Sequence, residues 1–182
     1  MHAFDRPSYA FRCLMFCLIL LTRSMAQGVP QMPKIEGESL AGQKVVLPDA
    51  AAGKVAVFIF GFTKASKVPT SAWASKVLAE FGARPDFELY QLPVLEDVPR
   101  FVRGMAISGI KKGVQENRRD HFVPILQHEA ELKKFVQYHE PDDAYLVVLS
   151  RTVNIVYQSH GAPSEANYPR LRAEIESALN QK

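Results

Sequence analysis

Cysteine is the most informative scarcity in this 182-residue chain: the two present, Cys13 and Cys17, fall in the first 27 residues and none follows. Beyond Cys17 no disulfide, thiol nucleophile or thiolate metal site can be built. Long apolar runs are also missing. The longest leading one, Cys13 to Leu21, is nine residues, too short to cross a bilayer, and Arg23 follows it closely. With Arg6 and Arg12 before it and Ser24 and Ala26 after it, the run predicts a secretory leader over 1–26 cut after Ala26, the other reading being a retained anchor. Both cysteines leave with such a leader. Charge of one sign is absent too. The leader holds three basic residues and one acid, so 22 basic and 19 acidic residues become 19 and 18, and a net charge of +3 becomes +1. A general nucleic-acid binder is not expected.

Catalytic signatures are equally sparse. No Gly-x-Ser-x-Gly elbow surrounds Ser66 or Ser71, and no pair of histidines has the i, i+4 spacing of a zinc hydrolase. Gly61 alone is too little for a phosphate loop. Four histidines follow the leader, His121, His128, His139 and His160, with Asp120, Glu129 and Glu140 nearby. They are scattered, and the expectation is surface or capping roles, with no tight metal and no cofactor. A metal- or acid/base-dependent enzyme built from them is the alternative.

What is present is a mixed pattern of strands and helices without repeats. An extended lead-in over 27–42, with a turn at Gly42, precedes a domain over 43–182. "QKVVLP" reads as a short strand. "GKVAVFIFGF" is apolar throughout, the mark of a strand buried on both faces. After a loop over 63–69, Thr70 or Ser71 caps a helix whose Trp73, Val77, Leu78 and Phe81 share a face, and Gly82 supplies a left-handed stop. Trp73 is read as core. "DFELYQLPVL" is a second inner strand, "EAELKKFVQYH" a compact helix, and "AYLVVLS" and "NIVYQSHG" a hairpin around "RTV". Ser164 caps a last helix with Leu171, Ile175, Ala178 and Leu179 on one stripe.

These residues resemble the thioredoxin-like superfamily, in its secreted and membrane-associated TlpA-, peroxiredoxin- and Sco-like branches. "GKVAVFIFGFTKASK" is similar to their lead strand and active-site loop, and "DDAYLVVLSRTVNIVYQSHG" to their closing hairpin. The resemblance implies an α/β fold, a thioredoxin-like mixed sheet flanked by helices with an N-terminal strand extension. Where such oxidoreductases place Cys-x-x-Cys, this chain has Lys64, Ala65, Ser66 and Lys67. A helix N-terminus stabilises a thiolate but not an ammonium, so the corner keeps shape and positive charge. It is either a plain solvent loop or a site for an anion or acidic partner. Pro141 also lies about three residues too early for the family's cis-proline. "FGFT" with "VPT" is similar to the Sco-type copper chaperones, with Ala65 at the first cysteine position and no Cu(I) site expected. The cysteine-free pattern resembles the mitochondrial assembly factor for the membrane sector of ATP synthase. That implies a redox-inactive binding or assembly role toward a protein partner, outside the cytoplasm.

The segment "VPRFVRGMAISGIKKGVQENRRD" completes the picture. On a helical wheel Phe101, Val102, Met105 and Gly109 form the expected core stripe. Arg100, Arg103, Lys111 and Arg118 gather opposite, with Ile107 and Val114 among them. The expectation is a docking face for an acidic or anionic-headgroup partner, the bland alternative a solvated face.

Overall fold

The computed structural model describes residues 31–181, so the expected leader with Cys13 and Cys17 lies outside the described residues. Strands β1 (Ile35–Glu38) and β2 (Lys44–Leu47) pair antiparallel. Gly42, at φ +87°, turns the chain between them, a conformation that side chains bearing Cβ resist. Four residues of the expected lead-in, Ile35–Glu38, are therefore hairpin strand.

β3 (Val55–Gly61), α1 (Lys67–Phe81), β4 (Phe87–Pro93), α2 (Arg100–Gly113), a 3-10 turn at Glu116–His121, α3 (Glu129–Phe135), β5 (Ala144–Leu149), β6 (Ile155–His160) and α4 (Tyr168–Asn180) follow. The main sheet runs β4-β3-β5-β6, with β3 parallel to β4 and antiparallel to β5. Residues 122–125 extend it beyond β4: the Val123 N–H donates to Gln91 O (3.0 Å) and the Ile125 N–H to Pro93 O (2.9 Å). The result is a mixed sheet flanked by helices, with an N-terminal strand extension.

All seven residues of β3 are buried, and the period of two sends them to opposite faces. Val55, Val57 and Ile59 meet Trp73, Val77 and Phe81 of α1 and Leu171, Ile175 and Leu179 of α4. Ala56, Phe58 and Phe60 meet Ile35, Leu47, Val123, Ile125 and Leu132 on the other side. Both expected helical stripes are therefore core. Arg151 caps the end of α4, donating to Leu179 O (3.1 Å) and Gln181 O (2.6 Å), where a cation meets the negative end of the helix dipole.

Several boundaries differ from the pattern, and α3 stops at Phe135 where the pattern runs on through His139. α1 starts at Lys67, ahead of Thr70, because Thr63 and Ser66 organise the first turn and Pro69 sits where its missing N–H is not needed. Gly82 is right-handed (φ −64°), so the left-handed stop is not used. α4 starts at Tyr168 because Ser164 and Asn167 bond each other, N–H to side chain in both directions (2.7 and 3.2 Å).

The larger difference is α2, which has no buried residue. Phe101 is 88% and Met105 77% exposed, so the expected core stripe faces outward. The partly buried side is Val102, Arg103, Ala106, Ile107 and Ile110. At 100° per residue these five fall on one arc, and Phe101, Met105 and Gly109 on the opposite one. Arg103 fixes that orientation by donating to Val98 O (2.7 Å) and Glu96 O.

Phe58, fully buried and stacked on Tyr90 at 5.2 Å, and Phe101 provide a direct test. Urea unfolding should show Phe58→Ala costing about 3–5 kcal/mol and Phe101→Ala within about 0.5 kcal/mol of the parent. Similar losses at both would place α2 against the core.

Candidate functional site: a hydroxyl-closed corner at the end of β3

The turn from β3 into α1 is held by two hydroxyls. The Ser66 N–H donates to Thr63 Oγ1 (3.1 Å), the Thr63 N–H to Ser66 Oγ (3.3 Å), and Ser66 Oγ–H to Thr63 O (2.8 Å). Thr63 Oγ1–H then reaches Asp142 Oδ1 (2.7 Å), tying the corner to the start of β5. A Cβ on Gly61 would stand 2.6 Å from Ser66 Oγ, so glycine is what lets the turn pack this closely. Ser66 is 1% exposed with its proton and a lone pair both engaged. It is a structural hydroxyl, not a nucleophile. Lys64, Ala65, Lys67 and Val68 are exposed, Val68 by 76%. Positive charge is thus presented outside the turn while its interior is neutral and closed.

Beside the corner Phe62, Tyr138 and Tyr145 pack edge-to-face or stacked with centroids 4.9–5.6 Å apart. The Tyr145 hydroxyl accepts from the His139 and Glu140 N–H groups (3.0 and 2.9 Å) and donates to Glu140 O (3.0 Å). His139 and His160 come together there, ring centroids 4.3 Å apart, with His160 Nδ1 2.7 Å from Asp143 Oδ2 and His139 Nδ1 2.8 Å from Gln137 O. His121 and His128 lie elsewhere, beside Glu88 (3.8 Å) and Glu131 (3.7 Å). Among the described residues no group of three or more His, Cys, Asp or Glu is placed to hold a metal ion. Trp73 is fully buried and donates from Nε1 to Gly161 O (2.7 Å), which joins α1 to the end of β6. The cis peptide bond among the described residues is Leu47–Pro48; Pro141 is trans.

The six residues expected to form a basic docking face do not share one surface. Arg100 and Lys111 are exposed, whereas Arg103 is spent on its own loop and Arg118 turns inward to donate to Leu89 O (2.7 Å). Ile107 and Lys111 line a groove of about 610 Å³ with Lys34, Glu36, Glu38 and His128. Val114 is half-buried past the helix end. The wheel failed for Arg118 because α2 ends at Gly113. Sequence reasoning placed Phe101 and Met105 in the core and passed over Lys112, and no signal in the pattern separates the two arcs, since both carry apolar residues.

A second cleft, about 440 Å³, lies between β2 and the 3-10 turn and is lined by Lys44, Asp49, Glu88, Tyr90, Asp120 and His121. Burial, the largest influence on Glu88, pushes its carboxyl up. Hydrogen bonds from Lys54 (2.6 Å) and the Tyr90 hydroxyl (2.8 Å), with His121 at ion-pair distance, outweigh it and hold Glu88 at about 2, below the ordinary 4.5. Burial, followed by the Glu88 contact, raises Tyr90.

Two outcomes test these readings. Ser66→Ala should lower stability by about 1–2 kcal/mol in chemical denaturation, through the Thr63 amide left without a partner; Lys64→Ser and Lys67→Ser should leave it within about 0.5 kcal/mol. Because the folded carboxyl of Glu88 sits below its unfolded value, its contribution is complete above about pH 4.5 and disappears as pH falls toward about 2. Thermal unfolding of Glu88→Gln should be lower at pH 7 and should fall less steeply than the parent across that window.

No protein-family model matches the chain, and no curated protein does. Solved structures match it over most of its length. A proposed electron transfer protein from Aquifex aeolicus aligns with TM-score 0.60 and 16% identity over 84% of this chain and 99% of that one. BsSco, of the Sco family of cytochrome c oxidase assembly proteins, aligns with TM-score 0.58 and 13% identity over 84% and 95%. A proposed thiol:disulfide interchange protein DsbE from Chlorobium tepidum aligns with TM-score 0.56 and 16% identity over 82% and 96%. The chain has a thioredoxin-like fold. At these identities the likeness is one of fold alone.

Proposed function

We propose that this is a redox-inactive thioredoxin-like protein that works by binding, as an assembly or adaptor factor for an extracytoplasmic or membrane-complex partner. The observation that carries the reading is the corner itself. In this fold's oxidoreductases the turn before the first helix presents a thiolate; here Thr63, Ser66 and Asp142 close it by hydrogen bonds and no residue after Cys17 has a thiol. Lys64, Lys67 and the exposed Val68 make the outer side of the turn cationic with an apolar spot, chemistry suited to an acidic protein segment. The leader pattern over 1–26 supports work outside the cytoplasm. The likeness to the cysteine-free ATP synthase assembly factor of mitochondria belongs to the same reading. So does the assembly role named for BsSco.

A second reading, acid/base or metal chemistry, is favoured by the His139–His160 contact, in which one nitrogen of each ring is engaged and the other left over. Among the described residues no third ligand stands beside the pair, and the first reading is the better supported.

Protein recovered after export from its host should titrate no free thiol and should not reduce insulin disulfides. Crosslinked capture from envelopes should yield a partner that is lost with Lys64→Ser/Lys67→Ser/Val68→Ser. Thiol-dependent turnover would refute the inactive corner; identical capture by both baits would refute partner binding through it.

A further inference from the structure

α2 is an unusual surface element. Its fourteen residues include Arg100, Arg103, Lys111 and Lys112 and no acid, and none of its side chains is buried. Its outward arc, at 100° per residue from Arg100, runs Arg100, Lys111, Gly104, Ser108, Phe101, Lys112, Met105, Gly109, every one of them exposed. Phe101, Met105 and Lys112 thus share one face, with Arg100 one residue before Phe101 and Lys111 and Lys112 about two turns beyond Met105, so that cations stand at both ends of the apolar pair. Arg100, Lys111 and Lys112 pair with no carboxylate among the described residues, whereas Lys54, Lys76, Lys133, Arg84, Arg151 and Arg172 do. Exposures of 88% and 77% leave Phe101 and Met105 without any packing role in the domain. Added Cβ atoms at Gly104 and Gly109 would meet nothing within 4 Å, so these glycines serve no packing need either.

We propose that α2 docks flat on an anionic phospholipid surface, Phe101 and Met105 entering the headgroup–acyl boundary while Arg100, Lys111 and Lys112 meet lipid phosphates. Charge complementarity selects a negative occupant. The apolar pattern selects a bilayer over an acidic protein groove. A groove reads apolar anchors at i, i+3, i+4 and i+7, and here the strip ends after two residues, with Ser108 and Gly109 beyond. A bilayer needs no shape match: a short apolar strip between cations suffices for reversible interfacial binding. Arg103, bonded to Val98 O and Glu96 O, does not enter the lipid contact and holds the helix to the body. The inference goes beyond the binding role of the corner; a redox-active corner would leave it standing.

Vesicle co-sedimentation of the full chain tests it. Because every variant carries the same first 30 residues, differences report on α2. The parent should bind vesicles of phosphatidylglycerol and phosphatidylcholine at least tenfold better than pure phosphatidylcholine, and high salt should abolish that preference. Phe101→Ser/Met105→Ser and Arg100→Gln/Lys111→Gln/Lys112→Gln should each lower the anionic-specific binding at least fivefold, with unchanged circular dichroism and unfolding midpoint. Equal binding to both vesicle types overturns the proposal. So does retention of binding by both variants, which would leave α2 to an acidic protein. Loss in the charge variant alone overturns the insertion of Phe101 and Met105.

Discussion

β3 is paired along its length on both edges and covered on both faces: Val55–Gly61 match Phe87–Pro93 on one side, and Ala56–Gly61 match Leu149–Ala144 on the other. A strand with no exposed side has no freedom of register, because a slip of one residue would exchange its two faces. Two separate covers are then required. Helices α1 and α4 supply one, and the β1–β2 hairpin, residues 122–125 and α3 supply the other. The corner is placed by the same constraint, since the chain leaves β3 at the end where β5 begins and Gly61 faces Ala144. Asp142 can reach Thr63 only because that register is fixed.

Position and chemistry separate at this corner. The fold supplies a helix N-terminus at the end of a central strand, which favours negative charge. Lys64 and Lys67 put cations there instead, and they remain in solvent, where the repulsion is screened. The interior of the turn is meanwhile satisfied by neutral hydroxyls, which carry no redox chemistry. Strand geometry does not require a thiol at the turn. It requires a small residue at Gly61 and a donor–acceptor pair across the turn, and Thr63 with Ser66 meets that need.

Most of the architecture was legible because it rests on period. The unbroken apolar run of β3, the 3.6-residue stripes of α1 and α4 and the β5–β6 hairpin each have one buried solution, and the structure adopts it. Boundaries were less legible: the starts of α1 and α4 depend on Thr63–Ser66 and Ser164–Asn167 side-chain bonds, and spacing alone does not rank one hydroxyl above its neighbour. The orientation of α2 was not legible at all. Both of its arcs carry apolar residues, Phe101 and Met105 on one and Val102, Ile107 and Ile110 on the other, so amphipathicity did not say which side meets the body. Arg103 decides that, through backbone carbonyls that a sequence does not display. The meeting of His139 and His160, 21 positions apart in the chain, likewise follows from strand pairing at Tyr145↔His160.

The two surfaces also differ in how they are attached, and this bears on what each can do. The corner is tied to the body by Thr63–Asp142, by the Trp73–Gly161 bond and by close packing at Gly61. For the proposed partner this would be a preformed surface, with little ordering entropy to oppose binding. α2 has no buried side chain to link it to global unfolding, and its hold on the body includes the Arg103 bonds at one end and the 3.5 Å Arg119 contact to Lys111 O at the other. Such an element opens and re-seats at a lower free energy than the sheet. It can therefore adjust its tilt to a soft, anionic surface without disturbing the strands that fix the corner.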